Sequence, residues 1–158
     1  MNELQIRYAE VSPDPEVLDV LIGMSEEWEA ENSCRGYRKN GPADVEGNRI
    51  FLARADGGVV GYLFGHAEKA ENASSVMPDG TPFFEVEEIY VRPAFRGKGI
   101  GKKLFSFAEQ TVSEEVEYIL LGTATKNWKA ILHFYIDELG MEFWSARLFR
   151  KCGGERGV

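Results

Sequence analysis

The sequence predicts an α/β (α+β) fold: one domain over residues 1–158, with a mixed, mostly antiparallel central sheet flanked by helices. The expected element order is β-α-β-β-β-α-β-α-β-β. Three observations carry this. Short alternating apolar runs with turn residues between them cluster from Arg49 to Val91 and read as an antiparallel meander. Segments with apolar residues at helical spacing lie on both sides of that meander and alternate with further strands. The chain has 158 residues, 44% of them hydrophobic and 12% aromatic. That is enough for one core without disulfide or metal staples.

Each element has its own signal. Leu4–Tyr8 alternates and reads as the first strand. Pro13 and Pro15 open a helix to Glu31, where Val17, Leu21, Met24 and Trp28 form one buried face with Leu18 beside it. Trp28 continues that stripe, so core packing is its expected role. Cys34–Gly47 is rich in glycine, asparagine and charge and reads as a loop. Arg49–Arg54 and Val59–Ala67 are strands joined by the hairpin signal Asp56-Gly57-Gly58. Ala70–Pro82 has turn residues and few apolar anchors, which predicts a mobile loop. Phe83–Val91 is a strand stopped by Pro93. Gly97, Gly99 and Gly101 lead into a helix, with Ile100, Leu104, Phe107, Ala108 and Thr111 on its apolar face. Val116–Gly122 reads as a buried strand. Trp128–Leu139 reads as a helix capped by Gly140, and Glu142–Ala146 with Leu148–Lys151 as a closing strand pair.

Composition excludes several classes. No apolar run approaches the roughly 20 residues that cross a membrane, and Met1-Asn2-Glu3-Leu4-Gln5 lacks the basic and apolar regions of a signal peptide. The two cysteines, Cys34 and Cys152, are too few for a disulfide framework or a structural zinc site. His66 and His133 have no ligand-spaced partners, so no metal is expected. A cytoplasmic location is expected. A net charge of −8 makes nucleic acid a poor partner. The charge is uneven. No basic residue lies between Arg7 and Arg35, a stretch holding Glu10, Asp14, Glu16, Asp19, Glu26, Glu27, Glu29 and Glu31. Arg92, Arg96, Lys98, Lys102 and Lys103 crowd one short segment. An acidic chain with one basic spot suggests a small anionic ligand there and a cation elsewhere. Glu27 and Glu31, four apart on one helix face, are candidates to line the cleft for that cation.

The segment that carries chemistry is Glu87-Glu88-Ile89-Tyr90-Val91-Arg92-Pro93-Ala94-Phe95-Arg96-Gly97-Lys98-Gly99-Ile100-Gly101-Lys102-Lys103-Leu104. A strand runs into a glycine-dense turn and then a helix. Glycines let backbone N–H groups converge without interference from Cβ, and the helix N-terminus adds a partial positive charge. A nucleotide P-loop is excluded, because the positions five before Gly97 and Gly101 are arginines. A dinucleotide fingerprint is excluded, because the third glycine falls one position early.

What does match is Arg-x-x-Gly-x-Gly at Arg96, Gly99 and Gly101. Here the sequence resembles the GNAT superfamily of N-acetyltransferases, whose pyrophosphate-binding signature lies between the fourth strand and the third helix. The lead-in Ile89-Tyr90-Val91-Arg92-Pro93 is similar too. So is Asn127-Trp128-Lys129-Ala130 … Phe134-Tyr135 … Leu139-Gly140-Met141, which resembles the family's Asn-x-x-Ala … Tyr … Leu-Gly-Phe segment. The family spacing puts the Tyr seven positions after the Asn. That position is Phe134, and Tyr135 comes one later. A bulged or re-registered helix would accommodate the extra residue.

The resemblance implies a single N-acetyltransferase domain with acetyl-CoA as acyl donor and a small amine as acceptor. The donor-binding residues it implies are Ile89, Tyr90, Val91, Arg96, Gly97, Lys98, Gly99, Ile100, Gly101, Lys102 and Asn127. Ile89 and Val91 would pair the pantetheine amides as a missing strand would, and the Ile89 N–H would bond the thioester oxygen. An alkylammonium must lose a proton before it attacks. Polyamine-acetylating members carry an acidic pair at the place of Glu87-Glu88, which makes Glu87 the favoured base with Glu88 next. By strand alternation Glu85 and Glu87 share one face and Glu88 the other, unless a bulge intervenes. Tyr135 would return a proton to the leaving thiolate. A small cationic acceptor, polyamine- or aminoglycoside-like, fits the acidic balance. The alternatives are a peptide or protein lysine or N-terminal acceptor, and a non-catalytic acyl-CoA-binding module. A homodimer stays open as a partner state.

Overall fold

The structure, a computed structural model, describes residues 4–153. Met1, Asn2 and Glu3, read above against a leader peptide, lie outside the described residues. Five strands form one sheet in the order β1-β2-β3-β4-β5. They are β1 (Ile6–Val11), β2 (Arg49–Ala55), β3 (Gly58–Lys69), β4 (Pro82–Val91) and β5 (Tyr118–Leu121). The first four run antiparallel, and β5 joins β4 in parallel. Helix α1 (Pro15–Glu31) and the short α2 (Pro42–Glu46) precede β2, α3 (Ile100–Val112) follows β4, and α4 (Trp128–Leu132) follows β5.

Two apolar layers hold the sheet. On one face Phe51, Ala53, Leu63, Phe84 and Val86 pack against Ile100, Leu104, Phe105, Ala108 and Val112 of α3. On the other, Ile50, Leu52, Tyr62, Phe64 and Tyr90 pack against Val17, Leu18, Leu21 and Met24 of α1 and Val45 of α2. Helix α1 keeps the bounds read from the sequence. Asp14 caps it by accepting from the Val17 amide at 3.0 Å. The buried stripe of α3 is rotated slightly from the expected one: Phe105 and Val112 are inside, and Thr111 is exposed.

Three expectations are corrected. The closing strands at Glu142–Ala146 and Leu148–Lys151 do not form, since no β-pairing is present there. Alternation alone does not supply a ladder partner, and Leu148 and Phe149 stand 92% and 77% exposed. The Ala70–Pro82 segment is anchored. Ala70 and Met77 are buried against Phe83, and the Ala70 N–H bonds Thr81 O while the Gly80 N–H bonds Ala70 O, each at 2.8 Å. The expected helix through Leu139 is α-helical only to Leu132 and then π-helical over His133–Glu138. A π turn takes up one residue more than an α turn, which accounts for the extra residue before Tyr135. The Cys34–Gly47 loop also contains α2, and its start is strapped to the chain after β5: Arg35 N–H bonds Ala124 O at 2.9 Å and Lys126 N–H bonds Ser33 O at 2.8 Å.

Candidate functional site

Strand β4 organises the site through two irregularities. The first is a bulge. Phe64 faces Glu88 and Gly65 faces Val86, so Glu87 has no partner on β3. An extra residue flips the facing of everything after it. Phe84 and Val86 face α3 before the bulge, and Ile89 and Val91 do so after it. Glu85 and Glu87 stay on one side, as expected, but the expected placing of Glu88 on the other face is corrected: past the bulge Glu88 also faces the α1 side, and Ile89 turns to α3. Gly65 makes room. A Cβ there would lie 2.1 Å from the Glu85 carbonyl oxygen, so no other residue fits without backbone movement.

The second irregularity is a parting of strands. β4 pairs β5 only from Phe83 to Val86. Arg92 N–H bonds Val60 O on the β3 side at 2.9 Å. By alternation the Val91 and Ile89 N–H groups point the other way, into the gap left where β5 has ended. The gap is what an extended, amide-bearing ligand would fill as an added strand.

Glu88 sits at the mouth of this gap on the α1 side. Its Oε1 accepts from the Tyr62 hydroxyl at 2.8 Å, the Tyr37 hydroxyl at 3.1 Å and the Asn40 amide at 3.0 Å. Its Oε2 accepts only from Asn40, also at 3.0 Å. Burial pushes the Glu88 carboxyl above the usual carboxylate range, against the pull of those donors. Tyr37 is itself stacked on Trp28 at 4.3 Å, and Trp28 on Tyr90 at 5.2 Å. Trp28 thus packs as expected, within an aromatic column that braces Glu88. A cleft of about 390 Å³ opens in front, lined by Asn40, Asp44, Asn48, His66, Glu87 and Glu88 among others. Glu87 is exposed in that cleft, with Oε1 3.5 Å from His66 Nδ1. His66 Nε2 lies 2.8 Å from Glu68. Burial raises the Glu85 carboxyl as well, with Glu87 and Glu68 adding to the rise.

At the other end of β4 a short 3₁₀ turn, Pro93–Phe95, leads to the glycine-dense loop. Gly97 and Gly99 have φ of 76° and 81°, left-handed values that favour glycine. Gly99 caps α3, and the first helix-closing bond runs from Lys103 N–H to Gly99 O at 3.1 Å. The preceding first-turn amides have no intrahelical acceptor and point out of the helix end. Gly101 admits Phe134: a Cβ there would meet the ring at 3.4 Å. A second cleft, about 540 Å³, adjoins the loop and is lined by Gly99, Lys102, Lys103, Tyr8, Phe107 and Gln110 among others.

Tyr135 is partly buried beside Phe134, with ring centroids 5.3 Å apart. Burial, with a smaller contribution from Cys34, pushes its hydroxyl up to about 12. Asn127 is exposed just before α4 and held by Thr125 Oγ1 at 3.2 Å.

The acids of α1 have partners distant in sequence. Arg92 pairs with Glu27 at 2.7 Å, Arg96 with Glu31 at 2.7 Å and Lys39 with Glu26 at 3.3 Å. The idea that Glu27 and Glu31 line an acceptor cleft is corrected accordingly. Sequence reasoning missed Tyr37, Asn40 and Tyr62, which carry no motif. The bulge did have a signal: a glycine inside a strand, Gly65, opposite a run of acids. Among the described residues no group of three or more His, Cys, Asp or Glu is placed to share a metal ion, and no helix is long and apolar enough to cross a membrane.

Known proteins resemble this chain in sequence and in fold. The acetyltransferase (GNAT) domain family matches residues 46–153. An "uncharacterized N-acetyltransferase in pepI 3′ region" of Lactobacillus delbrueckii subsp. lactis is 34% identical over 120 residues. The match covers 75% of this chain and 66% of that relative, so the chain spans about two thirds of its length. Among solved structures, the aminoglycoside N-acetyltransferase AAC(6′)-Iy in complex with CoA is similar with a TM-score of 0.69 and 17% identity, over 97% of this chain and 98% of that one. An aminoglycoside acetyltransferase from a soil metagenome, meta-AAC0020 with trehalose, gives 0.65 and 13% over 92% and 95%. A ribosomal-protein-alanine N-acetyltransferase of Brucella melitensis biovar Abortus 2308 gives 0.61 and 19% over 92% and 99%. At these identities the structural likeness speaks for the fold.

Proposed function

Because the chain belongs to the acetyltransferase (GNAT) family, we propose that it is an acetyl-CoA-dependent N-acetyltransferase whose acceptor is a small cationic amine. One observation carries the reading. A single strand presents free amides toward a gap, a glycine-dense helix start at one end of that gap, and a braced carboxylate at the other.

In this reading the amides of Gly97–Lys102, with Lys98 and Lys102, hold the pyrophosphate. The pantetheine arm lies in the gap against Ile89, Tyr90 and Val91, with Asn127 on its far side. The Ile89 N–H donates to the thioester oxygen and to the oxyanion that develops on it. The amine enters by the cleft of Glu87 and Glu88. Of the two, Glu88 is the better base. Its Oε2 keeps an open lone pair, three side chains fix its position, and its raised pKa brings it nearer to working pH. Glu87, exposed on the bulge, attracts the ammonium. Glu88 takes a proton from the ammonium, and the freed nitrogen lone pair attacks the carbonyl carbon. The C–S bond breaks as Tyr135 gives its proton to the leaving thiolate, and the second nitrogen proton leaves to solvent, from which Tyr135 is reprotonated.

The acceptor class rests on the carboxylates in the cleft: Asp44, Glu87 and Glu88 line it with no Lys or Arg among the lining residues. Two of the structures named above are aminoglycoside acetyltransferases, which fits a polycationic acceptor. A thiol-release assay with acetyl-CoA and a panel of amines tests the proposal. Polyamines and aminoglycosides should be turned over, and anionic amino acids should not. Turnover confined to a peptide N-terminus would move the acceptor class. CoA binding without turnover of any amine would make the chain a non-catalytic acyl-CoA-binding module.

A further inference from the structure

Arg96 opens the glycine signature, and the obvious use for its charge is a phosphate. The structure turns the side chain elsewhere. Its Nε–H donates to the Val91 carbonyl at 2.9 Å, and its two terminal nitrogens donate to Glu31 Oε1 and Oε2 at 2.7 and 3.0 Å. Three of the five N–H groups of the guanidinium are thereby committed inside the protein. The guanidinium carbon lies 5.4 Å from the centroid of the Tyr90 ring. The Tyr90 hydroxyl donates to the same carboxylate, at 2.7 Å to Glu31 Oε2. Glu31 is the last residue of α1, and Asn32 beyond it turns left-handed with φ 52°. The end of α1 is thus tied at one carboxylate to β4 and to the residue that begins the cradle. One turn earlier, Arg92 makes the parallel tie, to Glu27 at 2.7 Å and to the Val59 carbonyl at 2.9 Å.

We propose that Arg96 is a clamp and not a ligand of the pyrophosphate: paired with Glu31, it fixes the start of the cradle loop to helix α1. Glu31 is then a positioning residue for the donor. It acts by holding the guanidinium that holds the loop, and it touches neither substrate. The phosphate contacts fall to the backbone amides and to Lys98 and Lys102. The clamp rests on the reading that the cradle takes CoA. Its physical content is separable from that reading, because a fork-shaped guanidinium is needed to bond a carboxylate with two N–H groups and a carbonyl with a third. A lysine keeps the charge and loses that geometry. A phosphate ligand tolerates the exchange better than a clamp does.

The experiment is calorimetry of CoA binding to the full chain and to Arg96→Lys, Arg96→Ala, Glu31→Gln and the Arg96→Ala/Glu31→Gln double variant, with the melting temperature of each measured without CoA. The clamp predicts that Arg96→Lys weakens CoA as much as Arg96→Ala does. Glu31→Gln should weaken it by a similar factor, about three- to tenfold. The double variant should be no worse than either single one, because both remove one interaction. Melting temperatures should show the same non-additivity. Arg96→Lys binding CoA like the parent would overturn the clamp. So would Glu31→Gln leaving affinity unchanged or raising it, which is the result expected if Glu31 merely competes with phosphate for Arg96. If the parent itself fails to bind CoA, the functional reading fails, and the melting temperatures still decide the clamp: additive losses, or none, overturn it.

Discussion

In the proposed donor site Gly99 matters because of a single dihedral angle. Its φ of 81° is one that side chains rarely adopt, although a Cβ there would meet nothing within 4 Å. Gly99→Val should therefore fold and lose CoA affinity by at least about tenfold, since a β-branched residue strains the turn that aims the amides. Calorimetry on the folded variant checks this, and unchanged affinity would remove the phosphate from this loop. Tyr135 makes a different demand. With its hydroxyl pushed up to about 12, it keeps its proton across the working range and can donate it. Tyr135→Phe should lower turnover, and raising the pH should not restore it, because alkali supplies free amine and no proton for sulfur. A Tyr135→Phe profile that recovers at high pH would take the tyrosine out of the proton path. At this scale the glycine signature, the acidic pair and the tyrosine were legible in the sequence. Tyr37, Asn40 and Tyr62 were not, because what they share is one carboxylate oxygen, reached from one loop and from β3.

Among the elements, β4 organises the candidate site, and the bulge at Glu87 decides which side chains β4 presents there. It reverses facing, so the carboxylate that enters the braced position is Glu88. Strand alternation read without the bulge puts Glu88 on the face opposite Glu85. Gly65→Ala tests the bulge. A methyl group 2.1 Å from the Glu85 carbonyl must push two strands apart. We expect a loss of about 1–3 kcal/mol of stability and a larger proportional loss of turnover than of CoA affinity, because the cradle lies at the far end of the strand. Chemical denaturation and steady-state kinetics on the same sample measure both. The π-helical turn over His133–Glu138 is a second feature of this kind. One residue too many between Asn127 and Tyr135 announced it in the sequence, and the helix absorbs that residue instead of breaking. The closing strands failed for the complementary reason. Alternation in Glu142–Lys151 describes a face and says nothing about a ladder partner.

Over the whole molecule, the charge pattern took its meaning from the fold. Eight acids between Arg7 and Arg35 look unpaired in sequence, yet Arg92, Arg96, Lys39 and Arg49 come to four of them in space. The case for a cationic acceptor therefore moves from the acidic helix to the cleft of Asp44, Glu87 and Glu88. The fold order was readable because each element carries its own period and its own stop signal. The joining of cradle, gap and carboxylate along one strand needed the sheet. The measurement that tests this arrangement most directly is the pH–rate profile of Glu88→Gln against the parent with one cationic amine. Burial raises the Glu88 carboxyl, so the parent's acid limb should lie above the usual carboxylate range, with turnover rising as Glu88 ionises. Glu88→Gln should lose about 10²–10⁴-fold near neutral pH, and the loss should shrink as the pH rises and free amine becomes plentiful. A Glu88→Gln profile parallel to the parent's at every pH, at comparable rates, would contradict the account.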